Sequence, residues 1–284
     1  MALKIIFMGT PEFAVPVLKS IQKSNHKILE VYTQPAKRKD RGQKIINSPV
    51  YKCAEQYNLN IRCPISLESE EELDHFKSLK PDLAIVVAYG KILPTKLLNQ
   101  EKILFINLHA SLLPKWRGAA PIQRAIMNME KETGVTIMKI VEKLDAGPVM
   151  LNSKIKLTKE SNYTQVSQQM SDIGAKLIME ALNAIESGQA NFVNQDENEA
   201  TYAKKIDKIE SKIDWREKAD KIIAKINSLN PNPGCWFKLS GSRIKIIKAK
   251  EVKISGEPGL VLDDELTVAC SKNAIQILEL QKEG

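Results

Sequence analysis

The chain is short of the residues that most often betray a metal, a disulfide framework or a membrane. It has four cysteines, at positions 53, 63, 235 and 270, with no Cys-x-x-Cys spacing, and its three histidines are scattered. Such a set gives no metal-ligating cluster, argues against a disulfide scaffold at 284 residues and suits a reducing cytoplasm. No run of 18 apolar residues occurs, so no segment reads as a membrane span. The N-terminal stretch, residues 1–9, is apolar but short, and no small-residue cleavage site follows it. It reads as a first strand rather than a signal peptide. Gly-x-Gly-x-x-Gly is missing as well. Although Gly9-Thr-Pro turns the first strand toward a helix, no dinucleotide cofactor is expected. Internal repeats and low-complexity tracts are also lacking.

What is there is alternation. Residues 4–8, 26–32, 82–87, 103–106, 135–141 and 150–157 read as strands, and 49–57, 69–80, 121–129 and 163–186 as helices. Strand–helix alternation over residues 1–188 argues for an α/β fold with a doubly wound, mainly parallel sheet. Residues 189–206, polar and rich in Asn, Asp and Glu, read as a linker. Beyond it, a helix is expected over 214–227, broken by Asn230-Pro-Asn-Pro-Gly234. Five short strand-like runs follow, at 236–239, 243–249, 259–262, 266–270 and 275–280. Strands of that length suit a small β-barrel over 207–284.

The formal charge is +8, which favours a polyanionic partner without naming one. Its distribution says more. Residues 1–50 hold nine Lys or Arg against three acids, a local excess of +6. Five of the eight residues from Lys37 to Lys44 are basic: Lys37, Arg38, Lys39, Arg41 and Lys44. The segment has no apolar periodicity and is expected to be a surface loop. A solvated loop and a basic arm meeting nucleic-acid phosphates are both open, and the two are compatible. Lys212, Lys218, Lys245, Lys248 and Lys250 add candidate phosphate-facing charges in the tail, where plain solubility explains them equally well.

The chemistry concentrates between residues 105 and 123. An apolar strand ends in Asn107 and His109, followed by a loop punctuated by Pro114, Gly118 and Pro121. In an extended chain, residues two apart point to the same face. An amide that donates hydrogen bonds beside an imidazole that moves a proton suits acyl transfer to an amine. A polar pair at a strand end is also where open α/β sheets hold their active sites. A histidine after an apolar strand is equally a residue with a structural hydrogen bond, and the residues alone leave both readings open. Asp145, before Ala-Gly-Pro148, is a turn former by position. A carboxylate there also has the chemistry to orient His109, and sequence separation leaves open whether the two meet.

Several stretches, in order, resemble the formyltransferase family that uses 10-formyltetrahydrofolate: Phe7-Met-Gly-Thr-Pro-Glu-Phe13, Val87-Ala-Tyr-Gly-Lys-Ile-Leu-Pro94, Asn107-x-His109, Ser111-Leu-Leu-Pro114, Arg117-Gly118, Pro121, Leu144-Asp-Ala-Gly-Pro148, Thr201-Tyr-Ala-Lys-Lys-Ile206 and Asn232-Pro-Gly234. They span nearly the whole chain. The resemblance implies a Rossmann-like catalytic domain over 1–188, a linker over 189–206 and an OB-like, tRNA-binding barrel over 207–284. It implies an enzyme that moves the formyl group of 10-formyltetrahydrofolate to the α-amine of initiator methionyl-tRNA. The folate serves as substrate, and no metal is required. It implies catalytic roles for Asn107, His109 and Asp145, a folate border of Ser111, Leu112, Leu113, Pro114, Tyr89, Gly90 and Ile92, and tRNA contacts at Lys37, Arg38, Lys39, Arg41 and Lys44. A cytoplasmic monomer is expected. Members of the family usually continue past Gly284, so the chain is expected to be short at that end.

Two rivals frame this expectation. The same chemistry on a small amine, such as glycinamide ribotide or an amino-sugar nucleotide, needs no basic arm, although some sugar-nucleotide formyltransferases do have a second domain. A nucleic-acid-binding protein without catalysis would leave Asn107, His109 and Asp145 without a role.

Overall fold

The computed structural model describes residues 1–39, 44–100 and 102–282. Through the first half of the chain the elements run β1 (Lys4–Gly9), α1 (Val15–Gln22), β2 (Lys27–Tyr32), β3 (Lys37–Lys39), β4 (Lys44–Ile46), α2 (Pro49–Gln56), β5 (Ile61–Arg62), α3 (Glu70–Ser78), β6 (Leu83–Val87), α4 (Thr95–Leu98), β7 (Leu104–His109), β8 (Arg117–Gly118), α5 (Pro121–Met127) and β9 (Glu132–Lys139). They continue with β10 (Val149–Lys156), α6 (Tyr163–Glu186), β11 (Tyr202–Ala203), α7 (Ala219–Leu229), β12 (Cys235–Leu239), β13 (Ser242–Val252), β14 (Thr267–Ala269) and β15 (Ala274–Lys282). Two units result. The first comprises Met1–Arg117, Gly134–Lys154 and Gln168–Thr201; the second comprises Gly118–Thr133, Ile155–Ser167 and Tyr202–Gly284.

The first unit is built on a seven-stranded sheet in the order β10-β9-β7-β6-β1-β2-β5. β1 pairs in parallel with both β2 and β6, β2 with β5, and β6 with β7, while β9 runs antiparallel to β7. The expected doubly wound, mainly parallel sheet is thus present, with an antiparallel edge. The reason lies in the strand sequences. All five residues of β6, Leu-Ala-Ile-Val-Val, are buried, and so is β1 from Ile5 onward, as strands covered on both faces require. Strand order reverses about β1, so the crevice outside the carboxyl ends of β1, β6 and β7 is where such sheets admit a ligand. The helices start where side chains satisfy their free N–H groups. Ser48 accepts from the Tyr51 N–H ahead of Pro49, and Ser69 accepts from the Glu72 N–H ahead of Glu70, Glu71 and Glu72. One face of the sheet buries Tyr32, Phe76 and Phe105, whose rings succeed one another at 5.7 and 5.9 Å, spacings at which aromatic pairs attract.

The second unit holds an antiparallel half-barrel, β12-β13-β15-β14. Onto it α7 buries Ala219, Ile222, Ile226 and Leu229, against Cys235, Ile246, Val268, Ile275 and Ile277. Two expectations change here. The run at 259–262 forms only an isolated bridge, Val261 to Val268, so four strands replace the expected five. The helix begins at Ala219 rather than at 214, because Asp214 accepts the Arg216 backbone N–H at 3.0 Å and its guanidinium at 2.7 and 2.8 Å, closing a local turn, and Lys218 is extended. A cavity of about 1190 Å³ opens within this unit beside α7 and β13, bordered by residues 157–162.

A third difference concerns the basic segment. Residues 37–39 and 44–46 are not plain loop, since β3 and β4 pair antiparallel, Lys37 opposite Ile46, Arg38 opposite Ile45 and Lys39 opposite Lys44. Backbone pairing needs no apolar periodicity, which is why the residues did not announce it. Among the described residues, no helix is long and apolar enough to cross a membrane.

Candidate active site

The carboxyl end of β7 delivers the two polar residues. Pairing of Ile106, Asn107, Leu108 and His109 with Lys139, Met138, Ile137 and Thr136 of β9 fixes their register. Asn107 and His109 therefore leave the strand on the same face. His109 is 6% exposed. Asn107 is half-buried, and its side-chain amide makes no hydrogen bond among the described residues. It keeps its donors available for a ligand.

The turn after β9 brings Asp145 back to the histidine. Asp145 Oδ2 lies 3.7 Å from His109 Nδ1, and both side chains are largely buried. The turn is tightly made. Asp145 has φ +50°, a left-handed conformation unusual for a residue with a Cβ. At Gly147 a Cβ would fall 1.7 Å from the Lys139 carbonyl oxygen, so no other residue fits without moving the backbone. His109 Nε2 sits 3.0 Å from the Trp116 carbonyl oxygen. That oxygen only accepts, so Nε2 holds a hydrogen in this arrangement.

The loop after His109 is held from within. Thr136 Oγ1 donates to the Ser111 carbonyl at 2.7 Å and accepts from the Leu113 N–H at 3.2 Å. Ser111 is buried, and its hydroxyl donates to the Lys115 carbonyl at 2.6 Å. Of the residues expected at the folate, Leu112, Leu113 and Pro114 are half-buried, Gly90 is exposed and Ile92 is 90% exposed. The Tyr89 ring is turned into the core, where burial pushes its hydroxyl well above the usual phenol range. Tyr89 and Ser111 are thus both buried, main chain included. The 88–90 stretch is tethered to β1 and β2: Thr10 Oγ1 and Gln34 Nε2 both donate to the Tyr89 carbonyl, at 2.8 and 3.0 Å, and Gln34 Nε2 also reaches the Gly90 carbonyl at 2.9 Å.

Of the basic segment, Lys37 Nζ donates to Gln34 Oε1 at 2.6 Å. Arg41 lies outside the described residues, as do the side chains of Arg38, Lys39 and Lys44.

Two further residues at the site, Arg117 and Gln195, were not expected there from the sequence. Arg117 is 0% exposed, and its guanidinium donates to Gln195 Oε1 and to both carboxylate oxygens of Glu197. Arg117 first, and then Lys143, holds the Glu197 carboxyl down at about 2. The pairing of Arg with Gly118 in a short motif was the one available signal for Arg117. Nothing in the polar stretch around Gln195 marked it. Among the described residues, no three His, Cys, Asp or Glu side chains gather closely enough to hold a metal ion.

A family model described as formyl transferase matches residues 3–182, and a second, described as formyl transferase, C-terminal domain, matches residues 205–284. The chain belongs to the formyl transferase family. It is 49% identical over 286 residues to the methionyl-tRNA formyltransferase of Pelagibacter ubique, covering 100% of this chain and 92% of that one. It is 43% identical over 288 residues to the methionyl-tRNA formyltransferase of Afipia carboxidovorans, covering 100% and 93%. An N-formyltransferase from Helicobacter canadensis, solved with folinic acid and dTDP-3-aminofucose, superposes with a TM-score of 0.71 at 18% identity, covering 100% of both chains. That last likeness is one of fold. Asn107, His109 and Asp145 all fall inside the stretch matched to the formyl transferase model.

Proposed function

We propose that this formyl transferase moves the formyl group of 10-formyltetrahydrofolate to the α-amine of initiator methionyl-tRNA, giving formylmethionyl-tRNA for translation initiation, and that it does so as a cytoplasmic monomer. The observation that supports the chemistry best is the 3.7 Å approach of Asp145 to His109 beside the free Asn107 amide at the end of β7.

In this reading the neutral α-amine attacks the formyl carbon, a C–N bond forms, and the carbonyl oxygen becomes an oxyanion. The Asn107 amide donates to that oxyanion. The amine proton passes to His109. For Nε2 to take the proton, its bond to the Trp116 carbonyl must be exchanged for one to substrate, with the ring hydrogen on Nδ1 toward Asp145. Asp145 then fixes the tautomer and stabilises the imidazolium. The bond from the formyl carbon to the folate nitrogen breaks, that nitrogen takes up a proton, and tetrahydrofolate leaves. The folate borders Ser111, Leu112, Leu113, Pro114, Tyr89, Gly90 and Ile92.

The acceptor assignment draws on charge and on the full-length identity to methionyl-tRNA formyltransferases. Lys37, Arg38, Lys39, Arg41 and Lys44 meet the acceptor-stem phosphates, with residues 207–284 as a second tRNA-binding domain after the linker at 189–206. Lys245, Lys248 and Lys250 border the cavity of that domain, together with Glu251 and Glu279.

The decisive assay offers charged initiator tRNA and an amino-sugar nucleotide to the enzyme with the same formyl donor. Formylation of the tRNA with little turnover of the sugar nucleotide is expected; the opposite preference would overturn the assignment.

A further inference from the structure

The turn bearing Asp145 does not hold its shape alone. A left-handed φ at a non-glycine residue persists only where the surroundings over-determine it. Its carbonyls need donors, whereas the nearby buried guanidinium of Arg117 needs acceptors. A primary amide has both at one end, and Gln195 stands between them. Its Nε2 donates to the carbonyl of Asp145 itself at 2.9 Å and to the carbonyl of Gly147 at 2.7 Å. Its Oε1 accepts from Arg117 Nε at 3.1 Å and from Nη2 at 2.9 Å. Arg117 is anchored in turn by Glu197 on its guanidinium and by its backbone N–H, which donates to the Thr201 carbonyl at 2.8 Å. The peptide bond that supplies this N–H supplies, at its other end, the Trp116 carbonyl facing His109 Nε2. One side chain thus ties together the two groups that flank the imidazole: the Asp145 turn on the Nδ1 side and the Trp116–Arg117 peptide on the Nε2 side.

We propose that Gln195 is a positioning residue for formyl transfer, setting Asp145 against His109 through the main chain of the Asp145 turn. The proposal rests on the reading of Asp145 as the group that orients His109. Gln195 touches neither substrate nor the reacting atoms in this account. Its effect is on turnover, and the donor end of its amide acts through Asp145.

The test is a double-mutant cycle on the full chain. Gln195→Glu keeps the length and the acceptor for Arg117, but replaces the donating NH₂ with an oxygen that repels both carbonyls. A misplacement of this kind is expected to lower kcat by about tenfold to a hundredfold. KM for 10-formyltetrahydrofolate is expected to stay within about twofold, since no ground-state folate contact is lost. In an Asp145→Asn background the same change is expected to cost less than about twofold, because the interaction it acts through is already gone. Gln195→Met, which also takes the acceptor from Arg117, is expected to lower kcat at least as much in the parent background, and parental kcat in the folded Met variant overturns the proposal should the Glu variant not fold as judged by circular dichroism. A folded variant with parental kcat, or an equal multiplicative loss in both backgrounds, would overturn the proposal. Parental kcat in Asp145→Asn alone would instead overturn the reading of Asp145 itself.

Discussion

The corner around His109 and the basic strand pair at 37–39 and 44–46 are both rich in charge, and they treat it in opposite ways. At the corner, Arg117, His109 and Asp145 are largely buried and held by partners: Arg117 by Gln195 and Glu197, and Asp145 facing His109. The strand pair is two three-residue strands joined by backbone pairing, with Lys37 bound through its side chain to Gln34. The transfer proposed for the corner needs groups fixed to a fraction of an ångström, and burial with hydrogen bonding favours that. Attraction of a polyanion needs only net charge in solvent, and the same charge is weakened by salt.

Four substitutions test this contrast, from the largest expected effect to the smallest. Asn107→Ala is expected to cost on the order of 3–4 kcal/mol of barrier, a fall in turnover of roughly a hundredfold or more, with little change in folate affinity. Steady-state kinetics with a folate titration reads both, and normal turnover would remove Asn107 from the mechanism. Thr136→Val strips the Ser111 carbonyl and the Leu113 N–H of their buried partner and should cost about 1–3 kcal/mol of stability. A denaturant midpoint unchanged from the parent would mean that the loop is not held as described. Arg41→Ala should weaken use of tRNA while leaving KM for the folate unchanged, and should lower the slope of log KM against log salt by about 1 if Arg41 meets one phosphate. Equal activity at all salt concentrations, in parent and variant alike, would sink the basic segment's role.

The smallest effect is one that disappears in acid. The Glu197 carboxyl is depressed from 4.5 to about 2 by Arg117 and Lys143. A depressed acid contributes stability that is present above pH 4.5 and is lost as pH falls through about 2. Glu197→Gln should therefore melt below the parent at neutral pH, and the gap should close between these limits. Melting curves that stay parallel down to the acid limit would remove the ion pair from the account.

Much of the first unit was legible in the residues. β6 and β1 are apolar because both faces are covered, and α2 and α3 begin at Ser48 and Ser69, where a hydroxyl caps the helix. Asn107 and His109 were legible as a pair because a strand puts residues two apart on one face. The β3–β4 pairing was not, since it rests on backbone bonds without an apolar stripe. Nor was the late start of α7, where Asp214 spends its carboxylate on Arg216. Gln195 was the least visible, lying in a polar stretch that reads as a spacer.

By itself, then, the order of residues determined what repeats with the period of a strand or a helix, and which chemically competent side chains stand close along the chain. Tertiary structure alone decided that Asp145 meets His109, that Arg117 is buried, and that Gln195 bridges the two. Such contacts join residues far apart in the chain. Their formation depends on the free energy of the whole packed sheet, and no local pattern records it.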